Sequence, residues 1–122
     1  MRKKKILIID DEPDIIWVLK HALERRKFEV VVAYDGEEGL KKVTQDNPDL
    51  VILDLKLPKL IGEEVCRQIK KDAKTAGIPI IMVTGRKLDA DRIICRLIGA
   101  DSYMTKPFEM AELLTKIDDF LK

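Results

Sequence analysis

At 122 residues and 46% hydrophobic content, the chain is long enough for one core and too short for two, so a single domain over 1–122 is expected. Lys and Arg total 23 against 22 Asp and Glu, and a net charge of +1 provides no field for direct binding of nucleic acid or an acidic membrane. No apolar run approaches a membrane span, the start RKKK leads into only four apolar residues before DDE, and Cys66 and Cys95 lack CxxC spacing, which together predict a cytoplasmic protein with reduced cysteines.

Short apolar runs alternate with longer amphipathic stretches along the chain. KILII (5–9) is the first predicted strand, and PDIIWVLKHALERRK (13–27), opened by Pro13, the first predicted helix. EVVVA (29–33) follows as the second strand. Asp35 and Gly36 mark the turn into the helix GEEGLKKVTQD (36–46), which Asn47 and Pro48 end. LVILD (50–54) is the third strand, IGEEVCRQIKKD (61–72) the third helix and IPIIMV (78–83) the fourth strand. A fourth helix is predicted over 88–98 and stops at Gly99; SYMT (102–105) and EMAELLTKIDDFLK (109–122) supply the last strand and helix. Runs such as ILII and LVIL are apolar at successive positions, which suits strands covered on both faces by helices. The expected fold class is α/β, a doubly wound five-stranded parallel sheet with five helices on its two faces.

Polar residues with chemical potential stand just past the ends of these runs. Asp10 and Asp11 follow ILII, Asp54 ends LVILD, Thr84 follows IPIIMV, and Lys106 with Pro107 follows SYMT. The carboxyl ends of parallel strands meet along one edge, so these side chains converge. Clustered acids repel unless a cation joins them, and an all-oxygen donor set suits a hard ion such as Mg2+. Each residue also has a plainer reading: Asp10 and Asp11 as a helix cap, Asp54 as the start of a loop, Lys106 as a solvated lysine, Thr84 as an ordinary strand-end residue. His21 reads as a surface or packing histidine, and Trp17 and Phe108 as residues of the core or its rim.

DDEP at 10–13, DLKLP at 54–58, TG at 84–85 and KPF at 106–108, in this order and spacing over the whole chain, resemble the receiver domain of two-component response regulators. The resemblance implies a flavodoxin-like, CheY-like sheet with strand order 2-1-3-4-5. It implies that Asp54 accepts a phosphoryl group from a histidine kinase or phosphotransfer protein. Asp11, Asp54 and the Lys56 backbone carbonyl would bind Mg2+ directly, with Asp10 acting through a water. Lys106 would pair with Asp54 and then with the phosphoryl group, and the Lys106–Pro107 bond would be cis. Thr84 and Tyr103 would form the switch, with output to a downstream protein through the face of the fourth helix, fifth strand and fifth helix. The plainer reading of Tyr103 is a half-buried strand aromatic. In the family the histidine donor docks on the exposed side of the first helix and the loop after the fifth strand. A monomer or a phosphorylation-linked dimer fits this reading, and turnover would be limited to the domain's own phosphorylation and dephosphorylation.

Lys56 and Arg86 are departures that predict a long-lived phosphoryl state, since two cations there can obstruct the hydrolytic water. Starting at Met1 and ending on FLK favours a stand-alone regulator over a phosphorelay intermediate or the regulatory half of a transcription factor. An enzyme alternative is a Mg2+-dependent phosphatase of the haloacid-dehalogenase type, but that class carries a second Asp where Lys56 stands. A flavin carrier shares the fold and wants a phosphate cradle where IDDEPD would repel it.

Overall fold

The computed structural model describes residues 2–85, 96 and 98–122. Five parallel strands, β1 (Lys5–Ile9), β2 (Glu29–Ala33), β3 (Leu50–Asp54), β4 (Ile80–Thr84) and β5 (Ser102–Thr105), form one sheet in the order β2-β1-β3-β4-β5. Four helices stand among the described residues: α1 (Pro13–Arg25), α2 (Gly36–Asp46), α3 (Gly62–Lys71) and α4 (Met110–Phe120), the last being the fifth predicted helix. Most of the predicted fourth helix, with Arg92, Ile93, Ile94, Cys95 and Leu97, lies outside the described residues, as does Arg86.

Strand alternation divides the core in two. Leu7, Ile9, Val51, Leu53, Ile80 and Met82 pack against Val43 of α2 and Val65, Cys66 and Ile69 of α3. On the opposite face Ile6, Ile8, Leu50, Ile52, Ile81 and Val83 meet Ile16, Leu19 and Leu23 of α1 and Leu113 and Ile117 of α4. Every residue of β3 and β4 is buried, which is why their sequences are apolar without alternation, whereas β2 and β5 are the partly covered edges.

Local chemistry sets the boundaries. Pro13 begins α1, and the Asp35 carboxylate accepts the Glu38 N–H at 2.8 Å to cap α2, which ends on Asn47 in the left-handed conformation. α1 stops two residues short of the predicted end because Lys27, at φ 71°, turns the chain; Phe28 N–H donates to Leu23 O and Lys27 N–H to Glu24 O. β4 starts at Ile80, whose N–H is taken by the Asp101 carboxylate at 2.8 Å. Trp17 is the one aromatic placed differently from expectation. Ile16, Leu19 and Leu23 occupy the inward stripe, so Trp17 faces out at 62% exposure and stacks on His21 one turn later, with ring centroids 4.0 Å apart. Phe108 does lie at the core rim, half-buried against the α1 side.

The start of α3 sits directly behind the end of β3. Gly62 N–H donates to Leu55 O at 2.9 Å, and a Cβ on Gly62 would collide with the Asp54 carbonyl oxygen and lie 2.7 Å from Leu55 Cα. This clash is with backbone and has no rotamer escape. Gly62→Ala is therefore expected to lower unfolding stability by about 3 kcal/mol, read from the midpoint of urea denaturation.

Candidate functional site

Backbone pairing runs one residue beyond the strands at the carboxyl edge. Asp10 N–H donates to Ala33 O at 3.1 Å, and Lys106 N–H to Thr84 O at 2.6 Å. Alternation consequently puts Asp10 in line with Ile6 and Ile8, Asp54 with Leu50 and Ile52, and Lys106 with Met104, all on the α1 and α4 side of the sheet. The Lys106–Pro107 peptide is cis.

The side chains meet there. Lys106 Nζ donates to Asp10 Oδ2 at 3.1 Å, Asp54 Oδ2 at 3.3 Å and Glu12 Oε1 at 2.6 Å. Asp10 and Asp54 are each 4% exposed, whereas Glu12 stands at the mouth. The remaining carboxylate oxygens are held by nearby backbone: Asp54 Oδ1 accepts Lys56 N–H at 3.2 Å and Asp10 Oδ1 accepts Glu12 N–H at 2.9 Å. Both buried carboxylates are thus fixed from two sides.

Three carboxylates against one ammonium leave the pocket electron-rich. Burial and the neighbouring Asp10 charge push the Asp54 carboxyl up to about 6, against the opposing pull of Lys106 and the Lys56 N–H. Lys106 moves upward too: burial alone would lower it, but the bond to Glu12 and the charges of Asp10 and Asp54 outweigh that.

One oxygen from each of Asp10, Glu12 and Asp54 lies within 4.8 Å of the others, a group compatible with metal binding. Opposing ligands of an octahedral Mg2+ stand about 4 Å apart, so this all-oxygen set fits such an ion once the ammonium yields room. Asp11 lies outside this trio; it is exposed and lines a shallow groove with Lys56, Leu57, Pro58, Ile61 and Glu63. Glu12 is the participant that the sequence reading left out. Its cue was positional, since it follows the strand-end acids and immediately precedes the Pro13 that starts α1.

Thr84 ends β4 fully buried, with Thr105 as its ladder partner. Alternation puts it on the same face as Met82 and Tyr103. Tyr103 is half-buried beside Ile98 and Ala100 at the edge of the core.

Fold and site together define a doubly wound α/β protein with an acid and lysine cluster at the carboxyl edge of its sheet. The chain belongs to the response regulator receiver domain family, whose model matches residues 6–118. It is 43% identical over 119 residues to the alkaline phosphatase synthesis transcriptional regulatory protein PhoP of Bacillus subtilis (strain 168), a match covering 98% of this chain and 49% of PhoP. The chain therefore spans about half the length of that curated relative. A putative response regulator from Chloroflexus aurantiacus J-10-fl has a similar structure, with TM-score 0.93 and 31% identity, covering 98% of each chain. A CheY-like receiver domain protein from Methanospirillum hungatei JF-1 superposes with TM-score 0.90 at 35% identity, covering 97% of this chain and 93% of that one. The BeF3-activated N-terminal receiver domain of Klebsiella pneumoniae RstA gives TM-score 0.91 at 28% identity, covering 98% and 99%. Among the described residues no helix is long and apolar enough to cross a membrane.

The raised Asp54 carboxyl makes a stability prediction with a definite sign. Between its ordinary value of 3.8 and about 6 the folded state holds the proton more tightly than the unfolded state, so stability falls as pH rises through that window. Asp54→Asn, studied with a divalent-cation chelator, is expected to melt above the native protein at neutral pH, and the gain is expected to shrink toward pH 4. Thermal unfolding followed by circular dichroism across that range checks it.

Proposed function

We propose that this receiver domain accepts a phosphoryl group on Asp54 from a histidine kinase or phosphotransfer protein. The observation supporting this most directly is the placement of Asp54: buried at the end of β3, 3.3 Å from the Lys106 ammonium and beside two further carboxylates. A carboxylate oxygen of Asp54 attacks phosphorus and forms an acyl phosphate as the bond to the donor histidine nitrogen breaks; that nitrogen keeps the electron pair. Lys106 is then a point charge within reach of the phosphoryl oxygens, and it can release Asp54 while retaining Glu12.

Asp10 and Asp54, from the trio compatible with a metal ion, would hold Mg2+, with Asp11 and the Lys56 carbonyl added on the family pattern. Bound there, the ion supplies positive charge against the negative charge of the transferring phosphoryl group. The phosphoryl group brings roughly 1.5 to 2 negative charges to one fixed point. Thr84 and Tyr103 answer that change, and the partner-facing output is the surface containing β5 and α4. On this reading the protein is a regulatory switch in the cytoplasm, and its only turnover is its own phosphorylation and dephosphorylation. The half-length match to a transcriptional regulatory protein favours, as a second reading, a receiver that works joined to an output half.

Incubation with Mg2+ and acetyl phosphate is expected to add about 80 Da, one phosphoryl group, to the intact mass. Asp54→Ala and the chelated protein are expected to gain nothing; an adduct that survives Asp54→Ala would refute the assignment. The exposed Lys56 is expected to slow hydrolysis of the adduct, so Lys56→Asn should shorten its lifetime severalfold in a decay time course by mass.

A further inference from the structure

Lys106 and a divalent cation have claims on the same carboxylates. The three carboxylates that the ammonium contacts, those of Asp10, Glu12 and Asp54, are also the trio whose oxygens lie within 4.8 Å of one another. An ion seated on Asp10 and Asp54 would share those carboxylates with an ammonium left in place, and the two like charges would repel. The ammonium has to give way without leaving the pocket, because the phosphoryl group needs it.

The three acceptors are not equivalent. The carboxylates of Asp10 and Asp54 are only 5% exposed, while that of Glu12 is 55% exposed at the mouth and makes the shortest of the three contacts, at 2.6 Å. The Glu12 backbone is also anchored: its N–H is held by Asp10 Oδ1 at 2.9 Å, and its carbonyl accepts Ile16 N–H at 3.1 Å in the first turn of α1. Its side chain alone is free to follow a long lysine outward. Glu12 is thus fixed at its backbone and exposed at its carboxylate.

We propose that Glu12 is the positioning residue for Lys106, holding the ammonium at the mouth while a divalent cation takes Asp10 and Asp54. The proposal rests on the reading that this site binds Mg2+. Removing Glu12 leaves the ammonium only the two buried carboxylates, so it competes with the ion more effectively. The effect of Glu12 on metal affinity is therefore exerted through Lys106 and disappears with it.

A double-mutant cycle read by calorimetric Mg2+ titration tests this without any phosphoryl chemistry. In the otherwise native protein, Glu12→Gln is expected to weaken Mg2+ binding about tenfold, within the usual coupling of contacting residues. Glu12→Asp, which keeps the charge but withdraws it by one methylene, is expected to weaken binding in the same direction. In a Lys106→Met background, which itself should bind Mg2+ more tightly, both substitutions are expected to lose most of their effect. Equal weakening with and without Lys106 would overturn the proposal and make Glu12 a metal ligand. Unchanged affinity in Glu12→Gln would overturn it as well. Failure of the native protein to bind Mg2+ at millimolar concentration would overturn it together with the metal part of the functional reading, and is distinguishable from both.

Discussion

Two carboxylates buried side by side at the edge of an apolar sheet are made tolerable by one ammonium that reaches both and by a backbone N–H donated to each. Isolated, each would lose its hydration without recompense. Although β5 lies at the far edge of the sheet, Lys106 reaches them from one residue beyond the last ladder pair, anchored by its N–H to Thr84 O at 2.6 Å. The arrangement is still short of neutral, with three acids around one cation. Burial first, and then the Asp10 charge, raise the Asp54 carboxyl, and the unmatched count makes the site receptive to a further positive charge.

Fold and site differed in how far they were legible in the sequence. The apolar runs ILII and LVIL gave β1 and β3 to the residue, since a strand buried on both faces reads as a run without alternation. Pro13, Asp35 and Asn47 gave helix ends because each acts through its own backbone chemistry. The end of α1 was harder to read: Lys27 takes a left-handed conformation usually left to glycine, and lysine carries no local signal for it. Trp17 misled for a related reason. Hydrophobicity says core, but the helical period gives the inward stripe to Ile16, Leu19 and Leu23.

Strand-end placement alone implies the convergence of Asp10, Asp54 and Lys106. It does not imply the role of Glu12, because a glutamate ahead of a proline reads as an ordinary helix start. Only the reach of its side chain toward a residue 94 positions away distinguishes it. The same limit applies to Asp11, whose position beside Asp10 in sequence does not bring its carboxylate into the trio. Adjacent residues on a strand end point to opposite sides, and one step of register separates a pocket residue from a groove residue.

The two edges of the sheet are built on opposite electrostatic terms. At the amino edge, Lys70 Nζ is saturated by Ala76 O at 3.1 Å, Ile78 O at 2.7 Å and Asp101 Oδ2 at 2.8 Å, and Asp101 in turn holds the first N–H of β4. Asp49 likewise takes the Lys5 N–H at 2.7 Å at the start of β1. Among the described residues these donors and acceptors are paired with one another. At the carboxyl edge the count is unmatched, and the same strands end in residues that a cation or a phosphoryl group would rearrange. β4 and β5 are therefore clamped at one end and electrostatically loaded at the other. Thr84 and Thr105 close the ladder at the loaded end, and Tyr103 lies two residues back from Thr105 on the same face.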